Sequence, residues 1–259
     1  MTKVIFFDVD GTLLSHSQKC VPESAKRALD ALAKQGILRV LATGRHTLEL
    51  QQLPLEGIEF DGYILLNGHL CLDANKDLIC GIPIAETDKE ALLQLFAAKA
   101  FPLMLVEKDR MYINYVNQDV VLAQQAISTA IPPVDTYQGA PVYLAVAYLP
   151  KGREGILAQL LPGCKAIRWS DWGLDVFSAN GGKTVGIQKY LDTNGINLAD
   201  TMAFGDGEND SAMLQFVGFG VAMGNAVDST KESADYVTDS VDQDGIWNAL
   251  VKLKLIDPA

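Results

Sequence analysis

Two acidic residues, Asp8 and Asp10, stand directly after the first apolar run of the chain, in the segment Asp8-Val9-Asp10-Gly11-Thr12. Two carboxylates at this spacing can serve as a nucleophile, as an acid–base group or as metal ligands. Gly11 would let the backbone approach a ligand closely. Because Asp and Gly are also common turn residues, a capped turn explains this segment equally well when it is taken alone.

A second acidic segment, Gly205-Asp206-Gly207-Glu208-Asn209-Asp210, follows another apolar run near the end of the chain. A helix cap before Ser211 would explain one of its three acids but not the others. If these carboxylates gather against Asp8 and Asp10, they repel one another unless a cation lies among them. Carboxylate oxygens of this kind suit Mg²⁺, so the two segments together predict a magnesium site.

Two further segments could hold an anion. Thr43-Gly44-Arg45 offers a hydroxyl and backbone N–H groups to a phosphoryl oxygen. Lys183 follows two glycines at the start of a predicted helix, where the helix dipole disfavours a cation unless it contacts an anion. The alternative is an ordinary solvated lysine, which is the commoner situation for any single Lys.

The elements that must position these residues follow an α/β pattern at both ends of the chain. Apolar runs that end at Phe7, Ala42 and Phe204 each lead directly into acid or hydroxyl residues. In open parallel sheets, ligands bind outside the carboxyl ends of the strands, so these three ends could form one site. The predicted strands there are 3–7, 37–42, 63–66, 201–204, 218–223 and 236–237, and the predicted helices are 23–35, 47–53, 184–194, 211–217, 227–234 and 245–253. This order predicts a doubly wound, Rossmann-like parallel sheet.

The middle of the chain, from about Ile82 to Ala179, has a mixed pattern that predicts an inserted α+β module. Its strongest strand signal is 142–149, with further predicted strands at 111–116, 166–170 and 173–177 and predicted helices at 88–100, 120–130 and 157–161. The paired residues Trp169 and Trp172 are more typical of packing than of carbohydrate stacking.

Taken together and in this order, Asp-x-Asp-Gly-Thr, a strand followed by Thr-Gly-Arg, a lysine and Gly-Asp-x-x-Asn-Asp resemble the haloacid dehalogenase (HAD) superfamily, in particular its Cof-type phosphatase branch with a C2B cap. The resemblance spans the whole chain. It implies an α/β core formed by residues 1–82 and 180–259, interrupted by a cap domain at 83–179.

Carried onto this sequence, the resemblance implies that Asp8 is the nucleophile and that Asp10 is the acid and base. It implies a metal site for Mg²⁺ formed by Asp8, Asp10, Asp206 and Asp210, where Asp210 could instead support the lysine. It also implies phosphate or substrate contacts from the residues Val9, Thr43, Gly44, Asn67, Gly68, Lys183 and Asn209. The resulting expectation is a Mg²⁺-dependent phosphatase of small phosphorylated metabolites, with sugar phosphates favoured, that works through an aspartyl-phosphate.

Two positions depart from the family pattern. Lys183-Thr184 stands where Lys-Gly is frequent, and Asn67-Gly68-His69 stands where Asn-Gly-Ala is frequent. His69 could touch the substrate, but a partly exposed loop histidine without a role is an equally good interpretation. Arg45 and His46 could line the site entrance, whereas His16 has only a weak claim to a role.

The composition restricts the class of protein. Of 259 residues, 49% are hydrophobic and 20% are charged, which excludes a disordered chain. No apolar run reaches the ~18 residues of a membrane span, and the apolar run before Asp8 is too short for a signal peptide, so we expect a cytoplasmic protein without a membrane partner. The net charge of −11 disfavours nucleic acid as a partner. The four cysteines form no metal-binding pattern, and we expect reduced thiols.

Several functions remain open on the sequence alone. A phosphomutase would use the same aspartyl-phosphate chemistry, and a non-catalytic sensor of phosphorylated metabolites would keep the same fold. The presence of Asp10 disfavours a dehalogenase, because that branch lacks the second acid. The physiological substrate is not encoded in any pattern that we recognise, and either a monomer or a homodimer is compatible with the sequence.

Overall fold

The computed structural model describes residues 2–127 and 129–258. The chain divides into two compact units. The first contains the chain up to Cys80 and again from Gly182 onward, and the second is Gly81–Gly181.

The helices and strands follow one another in the order expected of a domain with an insertion. The first part contains β1 (Val4–Phe7), α1 (Glu23–Lys34), β2 (Leu38–Ala42), α2 (Thr47–Leu50), β3 (Gly62–Leu65), β4 (Leu70–Asp73) and β5 (Leu78–Gly81). The inserted part contains α3 (Glu86–Ala97), β6 (Leu103–Val106), β7 (Met111–Ile113), α4 (Gln118–Ala126), β8 (Leu144–Ala147), α5 (Gly155–Leu160), β9 (Cys164–Arg168) and β10 (Leu174–Ser178). The last part contains α6 (Lys183–Asn194), β11 (Thr201–Gly205), α7 (Ser211–Phe216), β12 (Gly220–Ala222), α8 (Asp228–Glu232), β13 (Tyr236–Val237) and α9 (Gly245–Lys252). Within the described residues, no helix has the length and apolar character needed to cross a membrane.

The first unit is built on an eight-stranded sheet in the order β13-β12-β11-β1-β2-β3-β4-β5. The six strands from β13 to β3 are parallel, and β4 returns antiparallel to β3. β1 lies at the centre, with β11 on one side and β2 on the other, and every residue of β1 is fully buried. A strand buried on both faces must be apolar throughout, which explains the continuous run Val4–Phe7.

The helices of this unit pack on the sheet through apolar stripes. Ala25, Leu29 and Leu32 of α1 are buried, and α1 packs beside α9. α1 starts after Pro22, whose ring suits a helix start, and its chain turns away at Gly36, which adopts a left-handed conformation (φ 71°). Elsewhere in the unit, α6 and α7 pack side by side, and their apolar residues join Val4 and Phe6 in one core cluster.

The second unit has its own sheet and its own core. Five strands pair antiparallel in the order β7-β6-β8-β10-β9. Apolar residues of α3, α5 and this sheet form a separate hydrophobic cluster. An antiparallel sheet with helices from the same segment is an α+β arrangement, so the predicted fold class, a parallel α/β core with an inserted α+β module, is confirmed.

Three strands were not evident from the apolar patterns. The patterns predict no strand between Asn67 and Ile82, yet β4 and β5 form a hairpin there, and β6 precedes the predicted strand at 111. The predicted helix 120–130 is shorter in the structure, where α4 ends at Ala126, and Ser128 lies outside the described residues.

Candidate active site

The carboxyl ends of the two central strands bring the two acidic segments together. Asp8 follows β1 and Asp206 follows β11, and these strands are neighbours in parallel register. The Asp8 N–H donates to the Phe204 carbonyl over 3.0 Å, so the two strand ends are tied together at the site. Sheet topology therefore explains how residues almost 200 positions apart meet.

Lys183 connects the two acidic segments directly. Its Nζ donates to Asp8 Oδ1 over 2.7 Å and to Asp210 Oδ1 over 2.5 Å. The lysine is only 5% exposed, which excludes a solvated surface residue. It is the first residue of α6, so the start of that helix places the ammonium group at the strand ends.

The site holds more negative charge than this lysine can balance. Burial raises the pKa of Asp8 well above its usual value, and the charge of Asp210 adds to the effect while Lys183 opposes it. Burial likewise raises the pKa of Asp206 to about 6, against a hydrogen bond from Thr12 that lowers it. Burial disfavours the charged form of Lys183, but the carboxylates of Asp210 and Asp8 outweigh it and raise the lysine pKa. The lysine is therefore a fixed cation, and the surplus charge lies on the carboxylates.

A divalent cation would balance the excess negative charge of these carboxylates. Asp8, Asp206 and Asp210 each offer a carboxylate oxygen, and these three oxygens lie within 4.8 Å of one another. An all-oxygen set with an excess of negative charge is what Mg²⁺ prefers, so the residues present fit that ion.

Asp210 has structural tasks besides any contact with a metal. Its Oδ1 binds Lys183, and its Oδ2 accepts the backbone N–H groups of Asp206 and Gly207, both over 3.0 Å. Asp210 therefore shapes the loop that presents Asp206 and holds the lysine in place. Direct metal binding by Asp210 stays a prediction.

Asp10 faces Arg45. Arg45 Nε donates to Asp10 Oδ2 over 2.6 Å and Nη2 donates to Oδ1 over 2.7 Å, which is a bidentate pair. The exposed His16 places Nε2 4.0 Å from the same carboxylate. Sequence reasoning assigned Arg45 only to the site entrance, whereas the structure makes it the partner of the predicted acid–base residue.

Four of the seven predicted phosphate or substrate contacts follow the ends of β2 and β3. Thr43 is 1% exposed, and its Oγ1 accepts the Arg45 N–H over 3.2 Å. Asn67 lies against Gly44, where an added Cβ would stand 3.1 Å from the Asn67 amide nitrogen. Asn209, from the acidic segment, donates through Nδ2 to Asn67 Oδ1 over 3.2 Å. The structure thus places Asn67 and Asn209 side by side.

Two predicted contacts have packing tasks in the structure. The Val9 carbonyl accepts the N–H groups of three residues of the following turn, Thr12, Leu13 and Leu14. Gly68 has a left-handed conformation (φ 92°), and an added Cβ would overlap the Gly182 carbonyl. These tasks fix the loops, and contact of either residue with substrate stays a prediction.

The histidines of the two loops are buried rather than exposed. The expectation that His69 is partly exposed is wrong, because it is fully buried and its Nδ1 lies 2.8 Å from the Leu66 carbonyl. His46 is also fully buried and caps α2, with Nδ1 accepting the Leu48 N–H over 3.2 Å. Full burial therefore replaces both the entrance position expected of His46 and the partial exposure expected of His69.

Two residues at the site were not assigned a role from the sequence. Thr12 Oγ1 donates to Asp206 Oδ1 over 2.9 Å. Asn225 Nδ2 donates to Asp206 Oδ2 over 3.2 Å. Asn225 follows β12, so the rule that polar residues at strand ends share one site could have found it.

Comparison with known proteins agrees with this geometry. Residues 5–250 match the haloacid dehalogenase-like hydrolase family. The chain is 33% identical to YkrA of Bacillus subtilis (strain 168), over 98% of this chain and 99% of that protein. It is 27% identical to the pyridoxal phosphate phosphatase YbhA of Escherichia coli (strain K12), over 93% of this chain and 97% of that protein.

Solved structures show the same similarity. BT1666 of Bacteroides thetaiotaomicron, a phosphatase of the HAD superfamily, superposes with a TM-score of 0.87 at 32% identity, covering 99% of this chain and 96% of that one. The HAD subclass IIB sugar phosphatase BT4131 gives a TM-score of 0.80 at 30% identity, covering 98% of this chain and 100% of that one. The chain therefore belongs to the haloacid dehalogenase-like hydrolase family and is one of its phosphatases.

Proposed function

We propose that this chain is a Mg²⁺-dependent phosphohydrolase that removes phosphate from small phosphorylated metabolites, with sugar phosphates as the favoured class. One observation carries the proposal: Lys183 is buried between Asp8 and Asp210, at the carboxyl ends of β1 and β11. A fixed cation beside a buried carboxylate both holds a phosphoryl group and places a nucleophile against it.

In the proposed reaction, Asp8 attacks the phosphorus atom. The ester P–O bond breaks while a bond forms between a carboxylate oxygen and phosphorus, which gives an aspartyl-phosphate. Asp10 gives a proton to the departing ester oxygen. In the second step Asp10 takes a proton from water, the water oxygen attacks phosphorus, and the Asp8 carboxylate is released with inorganic phosphate.

The remaining predicted residues bind and orient. Lys183 and Thr43 hold the phosphoryl oxygens, with backbone groups of Val9 and Gly44 beside them. Asn209 contacts the phosphoryl group, whereas Asn67 and Gly68 contact the substrate.

Mg²⁺, when bound, neutralises charge on the phosphoryl oxygens. Asp8, Asp206 and the Asp10 backbone carbonyl would hold it, with Asp210 in support. We also propose that residues 83–179 form the cap domain of the family.

Two relatives support the substrate class. One of them is described as a sugar phosphatase and the other as a pyridoxal phosphate phosphatase, so relatives that match nearly the whole chain act on small phosphorylated compounds. Since those compounds differ, the individual substrate of this chain needs a direct search.

The test measures phosphate release from a panel of sugar phosphates, pyridoxal phosphate, nucleotides and p-nitrophenyl phosphate, with Mg²⁺ and with EDTA. We expect release that requires Mg²⁺ and is abolished by Asp8→Asn, an isosteric change that replaces the nucleophilic carboxylate with a neutral amide. Asp61→Asn is the matched control, because Asp61 pairs with Arg39 on β2 and has no place in the mechanism. Turnover by Asp8→Asn would contradict the mechanism, and isomerised product without phosphate release would identify a mutase.

A further inference from the structure

The side chain of Asn225 joins three segments of the chain, two of which carry residues that the proposed mechanism uses. Its Nδ2 donates to the Gly11 carbonyl over 2.8 Å and to Asp206 Oδ2 over 3.2 Å. Its Oδ1 accepts the Val241 N–H over 2.9 Å. Asn225 thereby connects the loop after β1, the end of β11 and the chain before α9.

Asp206 is held from both sides as a result. Thr12 Oγ1 donates to its Oδ1 over 2.9 Å, and Asn225 donates to its Oδ2. Gly11 makes room for this arrangement, because a Cβ there would overlap the Asp206 carboxylate. Each carboxylate oxygen therefore has a neutral donor, and the carboxyl plane is fixed by two contacts.

The chemistry of the donors matters for a cation. Hydroxyl and amide groups orient a carboxylate without cancelling its charge, whereas a lysine or arginine in the same place would reduce its attraction for a metal. Lys183, the cation of the site, binds Asp8 and Asp210 instead. Asp206 is thus held by neutral side-chain donors on both oxygens, whereas Asp8 and Asp210 each accept a hydrogen bond from the lysine.

We propose that Asn225 is a positioning residue for the metal site, which fixes the Asp206 carboxylate and the Gly11 carbonyl in one geometry. This inference rests on the proposed function, because it assumes that Asp206 binds Mg²⁺. Only an amide side chain supplies two N–H donors and one acceptor at this position. An aspartate of the same size would put oxygen against both Asp206 and the Gly11 carbonyl.

The test compares Asn225→Ala and Asn225→Asp with the wild-type protein. Calorimetric titration with Mg²⁺ alone, without substrate, gives the metal dissociation constant, and circular dichroism shows that each variant is folded. We expect the dissociation constant to rise about 10–100-fold, the usual effect of removing a group that orients a metal ligand. At saturating Mg²⁺, we expect KM for the phosphate ester to stay within about twofold of the wild-type value, because binding of the ester is not disturbed.

Asn248→Ala is the matched control. Asn248 also donates two hydrogen bonds, to Asp239 Oδ2 over 2.8 Å and to the Gln243 carbonyl over 3.1 Å, but it touches neither Asp206 nor Gly11. We expect its magnesium affinity to equal that of the wild-type protein. Comparing Asn225→Ala with Asn248→Ala therefore distinguishes the general effect of losing an asparagine that makes two hydrogen bonds from the specific effect of losing the residue that positions Asp206.

The two hypotheses fail in different ways. If the wild-type protein binds Mg²⁺ and folded Asn225→Ala binds it equally well, the role of Asn225 is refuted while the proposed function stands. If the wild-type protein binds no Mg²⁺, both are refuted. Should Asn225→Ala not fold, Asn225→Leu takes its place, because leucine keeps the side-chain size but has no N–H donor. A magnesium affinity of folded Asn225→Leu equal to that of the wild-type protein would then overturn the inference.

Discussion

The guanidinium of Arg45 grips the carboxylate of Asp10 through two hydrogen bonds of 2.6 and 2.7 Å. Bidentate pairs of this kind fix direction as well as distance, because both groups are planar. Asp10 follows β1 and Arg45 follows β2, which are adjacent strands, so the pair links two neighbouring strand ends. In the proposed mechanism, Arg45 therefore sets the direction in which Asp10 points.

Removing the bidentate contact between Arg45 and Asp10 should slow the reaction. General acid–base catalysis contributes roughly 10²–10⁴-fold, and we expect Arg45→Ala to lose at least about tenfold in kcat because Asp10 is no longer oriented. Arg45→Lys should lose less, since a lysine keeps the charge but makes no bidentate contact. Steady-state kinetics on the best substrate of the panel measures both.

The control for this prediction is the Arg39–Asp61 pair. Arg39 Nε lies 3.1 Å from Asp61 Oδ2, and both residues belong to the same unit as Arg45. Arg39→Ala removes an ion pair of similar exposure that lies at the opposite end of β2 from Arg45, and its kcat should match the wild-type value. Equal kcat for Arg45→Ala and Arg39→Ala would show that Asp10 needs no arginine to orient it.

Magnesium binding should depend on pH because the acids of the site retain protons unusually well. Burial raises the pKa of Asp206 to about 6 and that of Asp8 in the same direction. A metal needs the ionised carboxylate, so below pH 6 it must displace a proton. We expect the apparent affinity for Mg²⁺ to fall as the pH is lowered through 6, by up to about tenfold per pH unit for the proton on Asp206.

The stability of the metal-free protein should fall as the pH rises. The pKa of Asp206 is about 6 in the folded protein and about 3.9 in the unfolded chain. The contribution of the protonated carboxyl to the free energy of unfolding is therefore fully present below pH ~4 and is lost as the pH rises through 6. Thermal unfolding in EDTA and in Mg²⁺ at pH 5 and pH 7.5 measures this. Mg²⁺ should raise the melting temperature more at pH 7.5, and an equal rise at both values would contradict the raised pKa.

The location of the site could be predicted because it depends on simple rules of sheets and helices. Three apolar runs ended in polar residues, and parallel strands bring such ends to one edge. The buried run before Asp8 and the Pro22 and Gly36 boundaries of α1 are local signals, and the structure agrees with them. Lys183 was singled out because a cation at a helix start needs an anion, and its contact with Asp8 supplies one.

Other features have no local signal. β5 is a short edge strand whose Leu78 is 48% exposed, so it shows neither a buried run nor an alternating pattern. The Arg45–Asp10 pair joins residues 35 positions apart, and the Asn225–Gly11 contact joins residues 214 positions apart. Propensity and spacing describe near neighbours, and such pairs follow only from the finished arrangement of strands.

Gly68 approaches the Gly182 backbone so closely that position 68 tolerates no side chain without movement. Gly68 has a φ of 92°, and a Cβ there would overlap the Gly182 carbonyl. Gly182 immediately precedes α6, whose first residue is Lys183. Gly68 therefore packs directly against the backbone from which the lysine of the site extends.

Gly68→Ala should both destabilise the protein and impair the site. Left-handed backbone strain together with the backbone overlap should lower the free energy of unfolding by roughly 2–4 kcal/mol. Gly57→Ala is the control: Gly57 has a similar φ of 77°, but no atom lies within 4 Å of its added Cβ, so only about 1–2 kcal/mol of strain is expected. Urea unfolding gives both values.

The same substitution should also lower kcat. Because the overlap pushes the start of α6 away, folded Gly68→Ala should disturb the 2.7 Å contact between Lys183 and Asp8, whereas folded Gly57→Ala should not. Equal losses of stability in the two variants, with kcat unchanged in both, would mean that α6 does not depend on the close approach of Gly68.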